Sequence, residues 1–221
     1  MDKNFPSLDT DRILQDAFKK LEPKGVSSKW AKSSRPFTEL REECLLLMSD
    51  SSFRKDLEDY LGSHQVIARA IEMFFNHVGV SARNNWDEDV PEEFLPFAAR
   101  GWFLGRWLPT FLIIDGPIGR FICKGGSPLF EKLKNQYQTY PLLASARDFL
   151  NNDLFMKLRH GFAHWAFDWV VVGNESYVVS YDWETDILTA KLHQEEADAF
   201  YIIAVQLILI VFQVIILQKS S

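Results

Sequence analysis

Phe155-Met-Lys-Leu-Arg-His-Gly-Phe-Ala-His-Trp-Ala-Phe-Asp-Trp169 is the stretch on which the reading of this chain turns. Within it Arg159, His160 and His164 lie among Leu158, Phe162, Trp165 and Phe167. Two imidazoles and a guanidinium are costly to set among large apolar groups unless they are paired or used. The stretch also marks a change of period. Apolar residues before it recur at helical spacing, whereas after Trp169 they alternate. Together these patterns predict an all-α helical bundle with a small β-hairpin insertion between the motif helix and an apolar C-terminal helix.

On the C-terminal side, Val170–Tyr181 is rich in β-branched and aromatic residues and reads as a hairpin turning at Gly173-Asn174. Asp182–Asp186 forms a second turn, and Ile187–Leu192 fits a third short strand. Glu195, Glu196 and Asp198 lead into a last helix. From Ala199 to Leu217 it is polar only at Gln206, Gln213 and the Tyr201 hydroxyl. Such a run is long enough to cross a bilayer. The two glutamines nevertheless share a face, and flanking charge is limited to Lys219, without an aromatic belt. A core helix and a membrane anchor are both compatible with it.

On the N-terminal side, residues 1–37 form a polar arm and linker with one helical stripe, Leu8, Ile13, Leu14, Phe18 and Leu21. A helical domain spans 38–218. Leu40, Cys44, Leu45 and Met48 predict one amphipathic helix. Phe53, Leu57, Tyr60 and Leu61 predict a second, closed by Gly62, and Val66–Val78 carry a third. Pro91 opens a helix to about Ile114 that is apolar nearly all round, through Phe94, Trp102, Trp107 and Phe111. After turns at Asp115–Gly119 and Gly125–Pro128, helices begin near Phe130 and at Pro141.

Composition narrows the function. Net charge is −6, so any nucleic acid must be gripped at a local patch. Seven Trp and 18 Phe favour a thick core or an oligomer interface. Cys44 and Cys123 are too few and too distant for a disulfide framework or a zinc site, and the N-terminus lacks a secretory pattern, so a reducing cytoplasmic home is expected. Glycine-rich phosphate loops, CxxC pairs and a nucleophile elbow are missing. Nucleotide triphosphate, redox and acyl-transfer chemistry therefore have little support.

Arg159-His160-Gly-Phe-Ala-His164 resembles the signature of the HEPN superfamily of metal-independent ribonucleases, in which Arg is followed by a polar residue and, after a spacer of four to six residues, by His. The resemblance covers about Pro141–Leu217 and includes the short β-hairpin and long apolar helix behind the motif. It implies an endoribonuclease of the toxin or phage-defence type that needs no cofactor. His164 would handle the proton, Arg159 would grip the phosphate, and His160 would position either one. RNA supplies its own 2′-hydroxyl nucleophile, His serves in either proton role, and Arg presents a planar fork to phosphate oxygens. The products would be a 2′,3′-cyclic phosphate and a 5′-hydroxyl.

Lys157 and Arg147 neighbour the motif and are candidate phosphate-binding residues, while Asp148 and Asp153 are candidates to orient its side chains. On one continuous helix Arg159 and His164 point about 140° apart. A homodimer with a composite cleft, the arrangement HEPN enzymes use, would bring both motifs together, and an antitoxin protein is a further partner the resemblance implies. Other readings stand beside it. His160 and His164 share a helix face and would suit a metal, but Asp168, eight residues on from His160, lies about 12 Å along the helix from it. Alternatively, Arg159 is a surface or salt-bridged residue and His164 a hydrogen-bonded core residue, in a non-catalytic HEPN-like interaction or scaffolding module.

Overall fold

The computed structural model describes residues 10–24, 35–65, 69–70, 73, 121–122 and 126–215. Most of Val66–Val78 and all of the expected aromatic helix from Pro91, with Trp102 and Trp107, lie outside the described residues, as does the turn at Asp115–Gly119.

The fold grows from its last helix. That helix (here α7, Gln194–Ile215) buries Phe200, Ile203, Ala204, Leu207, Ile208, Val211 and Phe212, so apolar residues on nearly every side are covered by other elements. It is the described helix long and apolar enough to cross a membrane, and 67% of its most apolar window is buried within the protein. Gln213 is exposed and Gln206 half-buried, which leaves one narrow polar stripe. The helix starts on a reciprocal cap: Glu196 accepts the His193 backbone N–H at 2.9 Å.

Against α7 packs α1 (Thr10–Leu21), whose Leu14, Ala17, Phe18 and Leu21 recur at i, i+3, i+4 and i+7 and are all buried. Lys20 and Lys24 then reach Glu195 and Glu196 at 3.0 and 3.4 Å. Within the expected arm of 1–37, the helical stripe thus docks on the bundle through four apolar residues on one face. Helix α2 (Arg35–Met48) also packs on α7, and its buried stripe is Phe37, Leu40, Cys44 and Leu47. Leu45, expected inside, is exposed, because Leu47 completes the i, i+4, i+7 row instead. Helix α3 (Ser51–Ser63) buries Phe53 and Leu57; Gly62 falls within its last turn and His64 caps it.

Two prolines open helices, Pro141 as expected and Pro128 two residues ahead of the start expected near Phe130. Pro128 begins α4 (Pro128–Asn135) behind the Ser127 cap, and Pro141 begins α5 (Pro141–Leu150). Tyr140 offers α5 no side-chain cap, and Glu43 of α2 takes that role. Its carboxylate accepts the N–H groups of Leu142 and Leu143 at 2.8–3.0 Å. Helix α6 (Asp153–Ala163) carries the motif; where it meets α5 and α7, Phe155 stacks on Phe200 and Phe149 lies tilted against both.

Three antiparallel strands follow: β1 (Phe167–Val172), β2 (Glu175–Tyr181) and β3 (Leu188–His193), in the order β1-β2-β3. The turn at Gly173-Asn174 is as expected, with Gly173 at φ 65°. The protein is thus mainly helical with a small three-stranded sheet rather than a simple hairpin. β1 starts at Phe167, before the change of period, because Trp169 pairs with Val178 and Phe167 with Ser180.

Candidate functional site

Helix α6 approaches β2 so closely that Gly161 has no room for a side chain. A Cβ there would lie 2.5 Å from Ser180 Cβ and 3.0 Å from the Ala166 carbonyl oxygen. Glycine at this position therefore sets how far the motif sinks into the sheet.

The helix ends immediately beyond it. His164 is the cap; the N–H of Trp165 donates to Phe162 O at 3.3 Å, and that of Ala166 to Gly161 O at 2.8 Å. This pair of bonds is a Schellman closure, which places the next residue in the left-handed region. Glycine usually fills that position; here it is Trp165, at φ 59°. The residue is 69% exposed. The Ala166 carbonyl then accepts the Tyr181 N–H at 2.8 Å, which ties the helix end to the end of β2.

These constraints divide the motif. Arg159 faces inward, only 1% exposed. Its Nη1 donates to Leu150 O at 3.3 Å, the carbonyl closing α5, where the helix macrodipole favours a cation. The guanidinium also lies over the Phe155 ring, 5.9 Å from the centroid. Burial of the Phe155–Leu158–Arg159–Phe162 face turns inside the guanidinium that the resemblance would have grip phosphate.

His160 and His164 face outward, their ring centroids 4.4 Å apart. The structure therefore brings the two histidines together and leaves Arg159 behind them, on the core side of the helix. Among the described residues no hydrogen bond occupies either imidazole. His164, read in one alternative as a hydrogen-bonded core residue, is exposed.

Lys157 sits on the same helix face, three residues before His160, with its ammonium 2.6 Å from Asp153. Arg147 pairs with Asp148 at 2.8 Å. Asp153 and Asp148 thus face the neighbouring cations, not the motif. Asp168 belongs to β1, its carboxylate accepting the Trp169 N–H at 2.7 Å. Among the described residues no group of three or more metal-ligating side chains converges.

The turn after β2 completes the cluster. The Trp183 ring stacks on His164, with centroids 5.3 Å apart and planes 10° from parallel. The turn beneath it is closed by the Asp182 carboxylate, which accepts from Glu184 N, Thr185 N and Thr185 Oγ1 at 2.8–3.1 Å. The Thr185 hydroxyl chiefly holds that carboxyl below its usual range, and the charge of His160 nearby adds a smaller pull. Sequence reasoning placed a turn at Asp182–Asp186 but gave it no role. The available signal was a tryptophan inside an otherwise polar turn.

Such an arrangement suits proton transfer at a solvent-facing phosphate. Two imidazoles are within reach of one small group, a lysine shares their helix face, and a flat aromatic wall fixes one of them. In comparisons with known proteins, no protein-family model, no curated protein and no solved structure matches this chain.

Proposed function

We propose that the protein is a metal-independent endoribonuclease of the toxin or phage-defence type, acting in the cytoplasm as a homodimer on an HEPN-like helical bundle. One observation carries the proposal: the exposed His160–His164 pair, 4.4 Å between ring centroids, on the motif that resembles the HEPN signature. Exposed imidazoles that no hydrogen bond among the described residues occupies are available as acid and base. One imidazole takes the proton of the RNA 2′-hydroxyl as its oxygen attacks phosphorus. The bond to the 5′-oxygen breaks, and that oxygen leaves with a proton donated by a second, protonated imidazole, giving a 2′,3′-cyclic phosphate and a 5′-hydroxyl.

Attacking and leaving oxygens stand on opposite sides of phosphorus in such a displacement. The two imidazoles of one protomer lie on one side, so a single copy serves one end of the reaction well. This supports a composite site in which a second copy serves the other end. Arg159 enters on terms set by its burial. It anchors the end of α6 on α5 and places a fixed positive charge behind the imidazoles, where low dielectric lengthens its reach toward a developing anion. Lys157 and Arg147 contact phosphate by exchanging their carboxylate partners for it.

The burial of Arg159 also favours a second reading, a non-catalytic interaction module that binds a partner such as an antitoxin. Purified protein incubated with RNA in EDTA separates the two. The ribonuclease reading expects cleavage with cyclic-phosphate ends, lowered at least about 100-fold in His164→Ala. Folded wild type that leaves RNA intact, or a His164→Ala variant that cuts as well as wild type, would sink it. Loss of thermal stability in Arg159→Ala without any loss of activity would make that residue structural only.

A further inference from the structure

We infer that Trp183 is a stacking platform for one unpaired nucleobase, so that the site takes single-stranded RNA; the inference rests on the ribonuclease reading for its ligand. Trp183 is 52% exposed although one face of its ring lies against His164 at 10° from parallel. Its opposite face is therefore the part open to solvent. A base laid on that face continues the stack His164–Trp183–base, and the sugar-phosphate beside it falls next to the imidazoles.

The support under the ring is rigid. Asp182 N donates to Ile187 O and Asp186 N to Asp182 O, both at 2.8 Å, in addition to the three bonds at the Asp182 carboxylate. A tryptophan ordered in this way loses little freedom when a base lands on it. Charge points in the same direction. The turn places the Asp182 carboxylate near enough to His160 to feel its charge, and the protein carries a net −6, so phosphate attraction alone grips poorly here. Stacking on an aromatic face is a grip that does not depend on charge, and it requires bases free of a duplex.

The test is a double-mutant cycle on the full chain, using a single-stranded DNA oligonucleotide, which lacks the 2′-hydroxyl and cannot be cleaved by this route, and the same backbone with abasic sites. Binding is read by anisotropy of an end label. Trp183→Ala is expected to weaken the base-bearing strand by roughly 5- to 100-fold, Trp183→Tyr to restore most of it, and the abasic strand to bind wild type and Trp183→Ala alike. The loss should persist as salt is raised. Equal binding of the base-bearing strand by wild type and Trp183→Ala overturns the inference, as does an equal loss on the abasic strand. Comparing Trp183→Leu with Trp183→Tyr at matched thermal stability removes any folding defect from the answer. Absence of RNA cleavage by wild type bears on the ribonuclease reading alone, because the oligonucleotide cycle does not use turnover.

Discussion

At the scale of single residues, the end of the motif helix holds two unusual choices. Trp165 occupies a left-handed position that disfavours any residue with a Cβ by about 1–2 kcal/mol. Replacing it by glycine relieves that strain but frees the unfolded chain, so the net gain is about 0.5–1 kcal/mol. Trp165→Gly should raise the melting temperature by about 2 °C, read by circular dichroism. An unchanged or lower value would mean that its exposed ring makes contacts worth more than the strain. Gly161 gives the opposite sign. Alanine improves helix propensity by about 1 kcal/mol, yet its methyl would sit 2.5 Å from Ser180 Cβ, inside van der Waals contact. We expect Gly161→Ala to destabilise the protein by about 1–3 kcal/mol in urea titration and to move His164 relative to Trp183. A neutral result would show that α6 and β2 separate easily.

At the scale of elements, α5 depends on a side chain roughly a hundred residues upstream. Glu43 accepts two backbone N–H groups where the helix lacks a local cap. Glu43→Ala should therefore cost about 1–2 kcal/mol, the usual value of a lost cap, and Glu43→Gln should keep part of it. Amide exchange at Leu142 and Leu143 would rise first, and unchanged protection there would refute the cap. A comparable long-range tie holds α3 to α4. Asp50 caps Ser52 and Phe53 and binds Lys132 at 2.6 Å. The Lys132 hydrogen bond chiefly holds the Asp50 carboxyl below its usual range.

For the whole molecule, that depressed carboxyl acts together with two others: Asp182, lowered by Thr185, and Glu195, lowered by Lys20. A carboxyl whose folded value is depressed contributes its full stability above the ordinary carboxylate range. That contribution is lost as pH falls through about 4 toward the folded values. Stability from these three should be flat from neutral pH to about 5 and decline below about 4. Asp50→Asn should flatten the acid limb of a melting-temperature profile, and an identical acid limb would remove Asp50 from the account. Burial of Cys44 pushes its thiol up to about 12, so this cysteine is not a reactive one.

The sequence by itself determined what local pattern dictates. The proline start of α5, the stripes of α1 and α3, the turn at Gly173-Asn174 and the grouping of Arg159, His160 and His164 on the motif helix depend on residues within a turn or two of each other. Only the tertiary structure decided which faces those patterns meet. The docking of α1 on α7, the inward turn of Arg159 onto Leu150 O and the long-range cap from Glu43 follow from how distant elements pack. The stacking of Trp183 on His164 likewise spans a hairpin whose pairing carries the turn back to the helix end. The physical reason is the same in each case. Propensity and spacing act over a few residues, whereas burial is settled by whatever surface arrives from elsewhere in the chain.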